Sequence, residues 1–138
     1  MKSLSLSNEQ MYDVYCKEIR SIVEYGVPVW HPGLTKKDSN EIERIQKVAF
    51  RIILEGLYTD YTEACLYFDT TTLKQRREKL CMSFATKNLK SKQSFFDRIE
   101  KFVNTRSEKA VVKEFKCRTS RYHNSSLPYL ARLLNMKN

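Results

Sequence analysis

The sequence predicts a mostly helical, all-α protein, a small bundle built on an antiparallel helix pair, and three observations carry that expectation. Only three Gly and three Pro occur in 138 residues. That is too few for a turn-rich β sandwich or a glycine-rich loop cradling phosphates. Two long segments repeat apolar residues at three- and four-residue steps behind a capping residue, the pattern of amphipathic helices. The apolar fraction of 41%, with 12% aromatic, is enough to bury a core although 30% of the chain is charged.

The first helix opens after Ser7, with Gln10 at capping-box spacing, and runs to about Tyr25. Met11, Val14, Tyr15, Ile19, Ile22 and Val23 form its stripe. Gly26 and Pro28 break it, the segment from Tyr25 to Trp30 wedges against the core, and the His31-Pro32-Gly33 run makes a turn. Thr35 with Asp38 caps a second helix whose buried face is expected to be Ile42, Ile45, Val48, Ala49, Ile52 and Ile53, with Gly56 as its stop. Packed together, these two helices are expected to supply most of the core, over about residues 8–55.

Asp60 or Thr62 starts a short third helix through Leu66 and Tyr67. Thr72 and Gln75 are in capping-box register for a fourth, over about 73–90, with Leu73, Leu80, Cys81, Phe84, Ala85 and Leu89 inward. Phe95, Phe96, Ile99 and Phe102 suggest one more short helix, and 104–109 reads as an exposed loop. The stretch 110–117 fits either an extended piece or a helix end. Ser126 before Leu127 and Pro128 is the expected cap of a last helix through Leu134. No internal repeat, low-complexity run or flexible linker divides the chain, so residues 1–138 read as a single domain, with the basic helix and C-terminal segment over about 60–138.

Charge narrows the function. The net charge is +9, and it is unevenly placed: residues 1–68 carry 8 basic and 10 acidic side chains, residues 69–138 carry 17 basic and 6 acidic. The second half, at net +11, is suited to a polyanion. Nucleic acid, an anionic membrane surface and a plain solvated face all remain open on charge alone. The four cysteines show no C-x-x-C pair and the two histidines lie far apart at His31 and His123, so no metal and no cofactor is expected and the thiols read as small hydrophobes. The carboxylate pairs Glu41/Glu43 and Asp60/Glu63 read as helix-start or helix-face charge. No nucleophile elbow, P-loop or H-E-x-x-H motif is present. No apolar run is long enough to span a bilayer and the N-terminus lacks a signal-peptide h-region, so a nuclear or cytoplasmic, non-secreted chain without a membrane partner is expected.

Two segments interleave cations with aromatic rings, as surfaces do that hold phosphates and stack or pack rings. In the first, Arg76, Arg77, Lys87 and Lys90 are expected to face solvent and contact phosphates. In the second, Lys116, Arg118, Arg121, Tyr122 and His123 fall close together in an expected loop. The alternative is that Tyr122 packs on the core and Arg118 or Arg121 pairs with an acidic group of the first half.

Segments 19–34, 42–53, 76–81 and 117–135 together resemble the C-terminal end of reverse transcriptases from jockey-like retrotransposons that lack long terminal repeats. Tyr25, Gly26, Val29 and Trp30 match the family pattern that closes the helix following the palm. Ile42, Glu43, Arg44, Ile45 and Gln46 match the one that opens a helix of the thumb-like region. The likeness covers roughly residues 11–135, and the chain departs from it at Asp69 and the threonines before Arg76, where relatives often carry basic or small residues. The resemblance implies a thumb-like region that grips an RNA or RNA–DNA template-primer duplex, with the palm and fingers of a parent polymerase as further partners. The metal-binding palm carboxylates are missing, since no Asp-Asp pair occurs, so no catalysis is expected of this chain. A helical protein-interaction module, with Trp30 exposed, is the alternative.

Overall fold

The computed structural model describes residues 6–90, 101–104, 109–112 and 115–136. It is mostly helical, as expected. In chain order come α1 (Asn8–Val14), a π-helical turn (Tyr15–Arg20) and α2 (Ser21–Glu24) as one continuous rod, then α3 (Val27–Trp30), α4 (Lys36–Leu54), α5 (Tyr61–Tyr67) and α6 (Leu73–Lys90). The short strands β1 (Lys101–Asn104) and β2 (Lys109–Val112) come next, before the helices α7 (Ser120–His123) and α8 (Ser126–Met136). The strands pair antiparallel, Phe102 opposite Val111, so Phe102 is extended where a helix was expected, residues 110–112 take the extended alternative, and Asn104 and Lys109, expected at the ends of a loop, are paired strand residues. The helix expected around Phe95, Phe96 and Ile99 lies outside the described residues.

Local chemistry sets most of the helix starts. The Ser7 hydroxyl accepts from the Gln10 N–H while the Gln10 side chain accepts from the Ser7 N–H, and Thr35 and Asp38 form the same box on α4. The hydrogen bond from Thr35 also holds the Asp38 carboxyl below the usual carboxylate range. Asp60 accepts from the Glu63 N–H at 2.8 Å, and Thr72 and Gln75 bond reciprocally. Ser126 departs from expectation: it is already the first residue of α8, and its hydroxyl donates to the Val29 carbonyl at 2.7 Å. Three residues with positive φ end helices, and one of them, Glu55 at φ +42°, ends α4 one position before the glycine expected to stop it. Gly26, at φ +63°, separates α2 from α3, a conformation a β-carbon would strain. Asp69, at φ +46°, lets the Thr70 N–H reach the Cys65 carbonyl at 2.9 Å, closing α5; aspartate is one of the few side chains that tolerates this backbone.

Buried side chains gather in two clusters, not in one core from the first helix pair. The chain divides into two compact units, residues 1–25 with 35–76, and residues 26–34 with 77–138. In the first, Tyr15, Phe50, Ile53, Leu54, Ala64 and Cys65 are buried, with Met11, Tyr12, Tyr61 and Phe68 packed on them. Tyr12 stacks on Phe68 at 4.3 Å between centroids, and Phe50 lies 5.2 Å from Phe68 and 5.9 Å from Tyr15. Tyr12 meets Phe50 while Tyr15, further along, reaches back to Gln46, the order of an antiparallel pair. In the second unit, Val27, Cys81, Ala85, Val112, Leu130, Ala131 and Leu134 are buried, with Trp30 and Phe115 among the rings packed against them. Burial there pushes the Cys81 thiol up to about 11, so it packs as a neutral hydrophobe.

The expected apolar stripes are only partly the buried ones. On the first rod Val14, Ile19 and Ile22 are exposed; for Ile19 and Ile22 the reason is that the π-helical turn closes i→i+5 bonds and rotates the later residues of the rod off a 3.6-residue face. On α4, Ile45, Val48 and Ile52 are exposed, and the inward face is Gln46, Phe50, Ile53 and Leu54. A buried glutamine needs partners for every polar atom. Gln46 has them: its Oε1 accepts from the Tyr15 hydroxyl at 3.1 Å, and its Nε2 donates to the Tyr61 hydroxyl at 3.0 Å and the Thr71 carbonyl at 3.2 Å. The Tyr61 hydroxyl donates in turn to Glu43, whose carboxylate accepts the Leu73 and Lys74 N–H groups at 2.9 and 3.0 Å. Glu43 of α4 therefore caps the start of α6, where charge and free N–H groups favour an anion.

Three substitutions probe this first unit. Phe50→Ala should cost about 3–5 kcal/mol in urea unfolding, because it empties the centre of an aromatic cluster. Leu66→Ala, at a site 74% exposed, should stay within about 0.5 kcal/mol. Glu43→Ala should cost about 1–3 kcal/mol, leaving two helix-start N–H groups and the Tyr61 hydroxyl without their acceptor. Burial raises the Tyr15 hydroxyl, and burial followed by the bond to Glu43 raises that of Tyr61. Their folded pKa values exceed the unfolded value of about 10, so the stability they confer is complete below about pH 10 and falls as pH rises further. Thermal melts from neutral to alkaline pH should show that fall, and Tyr61→Phe should flatten it.

Candidate nucleic-acid interface

The two cationic segments meet different fates. Arg76 and Arg77 open α6, and neither faces solvent as expected. Arg76 grips Glu24 of the same unit in a two-pronged ion pair, Nε to Oε1 and Nη2 to Oε2 at 3.0 Å, with the Glu24 side chain only 15% exposed. That bond to Glu24 raises the arginine's pKa, holding its charge more firmly still. A planar guanidinium forked on a carboxylate is the geometry that would otherwise bind a phosphate, so the binding capacity is spent inside the unit. Arg77 is fully buried. It lies on the α6 face made by Leu73, Cys81 and Ala85, one turn apart in each direction, and that four-residue spacing in the sequence was the signal for its burial. Both are corrected as solvent-facing phosphate ligands: one is neutralised by Glu24, and the other has no surface to offer.

Lys87, about three turns further along α6, is exposed. The side chain of Lys90 lies outside the described residues. The second segment keeps its cations in solvent. Lys116, Arg118, Arg121 and His123 are all exposed, and among the described residues none of the ion pairs includes Lys87, Lys116, Arg118 or Arg121. The pairing of Arg118 or Arg121 with a carboxylate, weighed from sequence, is therefore not found among the described residues.

This segment is not a free loop. Thr119 caps α7, its hydroxyl accepting from the Tyr122 N–H at 3.2 Å, and the one-turn helix carries Arg121, Tyr122 and His123. Two bonds hold the turn after it: the Ser125 hydroxyl donates to the Tyr122 carbonyl at 2.7 Å, and Arg132 of α8 donates to the His123 carbonyl at 2.9 Å. Tyr122 combines both expectations. Its ring meets Phe115 edge-on at 6.4 Å, and Phe115 packs on the second unit's core, yet 43% of the residue stays exposed. The ring is thus anchored against Phe115 while part of the residue stays in solvent. The second unit consequently presents Lys116, Arg118, Arg121 and a fixed tyrosine ring on one capped, eight-residue stretch.

Among the described residues no group of three or more His, Cys, Asp or Glu side chains is placed to hold a metal ion, and no helix is long and apolar enough to cross a membrane. Comparison with known proteins adds no name to this geometry: no protein family, curated protein or solved structure matches the chain.

Proposed function

We propose that the chain is a non-catalytic, thumb-like holder of nucleic acid, in the manner of the C-terminal region of a retrotransposon RNA-directed DNA polymerase, with RNA or an RNA–DNA duplex as its ligand and a palm and fingers as its covalent or docked partners. The observation that carries the reading is the stretch 116–123, where three cations stand in solvent beside a half-exposed, anchored ring. Phosphates are held by such cations without regard to sequence, and an exposed ring face accepts any unpaired base. The net +11 of residues 69–138 adds the long-range attraction that brings a polyanion to them. Arg76 and Arg77 have no part in the grip. The interaction-module alternative required an exposed Trp30, and Trp30 instead packs against the Val27 and Leu130 cluster.

Binding of a fluorescent RNA–DNA hybrid across a salt series tests this reading. With Lys87, Lys116, Arg118 and Arg121 on phosphates, log K should fall with log salt at a slope near −4, and base sequence should matter little. Converting Lys116, Arg118 and Arg121 to Gln should remove about three units of that slope with the helical circular dichroism unchanged. The same change at Lys36 and Lys37 should remove much less. Equal losses from both sets, or no binding of the parent at about 50 mM salt, would reject the assignment.

A further inference from the structure

The first unit leaves part of its longest helix uncovered. Ile45, Val48 and Ile52 of α4 are 40%, 42% and 63% exposed, and with Ala49 and the 44%-exposed Ile19 of the π-helical turn they line a shallow apolar groove edged by Glu41 and Arg44. Ile22, on the helix continuing from that turn, is 75% exposed. Scattered apolar residues on a surface need no explanation, but a contiguous groove of them marks a contact. A phosphate backbone finds nothing there, so the nucleic-acid reading does not account for it.

The charges along α4 say what fits. At roughly 100° per residue, Glu41, Val48 and Ile52 fall near one line, with Lys37 on it at the start and Arg44 and Arg51 along its flank; Glu55 follows directly after the last residue of α4, at φ +42°. Lys37 and Glu41 stand at the N-terminal end of the groove, Arg51 and Glu55 at its C-terminal end, and all four are exposed. Arg51 is steadied there by lying over the Tyr58 ring at 5.4 Å. Arg44 lies 3.8 Å from Glu41 on the same helix; the charges at the two ends are plus, minus at one and plus, minus at the other. Reversed and laid on itself, that order is complementary: Lys37 meets Glu55, and Glu41 meets Arg51. Both pairings require the same register, with the level of Gln46 on the axis. A parallel copy would instead set like on like.

We propose that this groove is a self-association surface, in which α4 of a second copy packs antiparallel across Ile45, Val48 and Ile52 about a two-fold axis. The interface is isologous, so each charge pair forms twice and each substitution counts twice. The partner's helix buries the apolar line, and the end charges fix its direction and register, the role such flanking pairs play between antiparallel helices.

Sedimentation equilibrium of the full chain without nucleic acid tests the proposal, over about 1 to 100 µM, where association of this strength is readable. The parent should dimerise. Ile52→Asp, a change at a mostly exposed site, should leave circular dichroism unchanged and the protein monomeric throughout. Glu41→Lys and Arg51→Glu should each raise the dissociation constant about tenfold or more, and the double exchange should return it to within about threefold of the parent. A parent that stays monomeric at about 100 µM overturns the proposal. So does a dimer indifferent to Ile52→Asp, and so does a double exchange no tighter than the single ones.

Discussion

The first unit turns on Gln46 and Glu43, two polar residues of one helix that face inward together. Gln46 is fully buried, and burying an amide costs free energy unless its oxygen and both its N–H groups are bonded. Tyr15 supplies the donor, and Tyr61 and Thr71 supply the acceptors, so one side chain ties the first rod, α5 and the segment before α6 to α4. Glu43 extends the tie by accepting from Tyr61 and from the first N–H groups of α6. Hydrogen bonds are directional where hydrophobic contact is not, so the aromatic cluster around Phe50 provides the cohesion and this network selects one arrangement of it.

The same logic separates the protein's arginines. A cation near the surface binds phosphate only if its own unit does not neutralise it first. Glu24 takes Arg76 with two hydrogen bonds, and packing takes Arg77, so the most conspicuous basic dipeptide of the sequence is structural. Lys116, Arg118 and Arg121 have no such claim on them among the described residues, and the bonds around α7 fix the backbone that carries Arg121. Binding through a held backbone loses less conformational freedom than binding through a loose loop.

The π-helical turn has a wider effect than its six residues suggest. Tyr12 and Tyr15 stay on the aromatic cluster by the helical spacing before it, while its i→i+5 bonds turn Ile19 and Ile22 toward solvent. This local change of pitch thereby adds Ile19 to the apolar groove of α4.

Helix starts were legible in the sequence because they depend on residues three apart. Ser7 with Gln10, Thr35 with Asp38, the cap at Asp60 and Thr72 with Gln75 all form as read, and Gly26 breaks the chain where a left-handed residue is needed. The mostly helical class and the uneven charge were legible for the same reason, being sums over local properties. Which face of α4 turns inward was not, since Ile45, Val48 and Ile52 are more apolar than Gln46 and only distant partners make the glutamine's burial favourable. The fate of Arg76 was equally hidden, because Glu24 lies 52 residues away. Spacing along the chain thus determined where this protein is helical, and only the tertiary structure decided which polar groups it buries and which cations it leaves in solvent, because burial depends on partners that the fold brings together across long stretches of sequence.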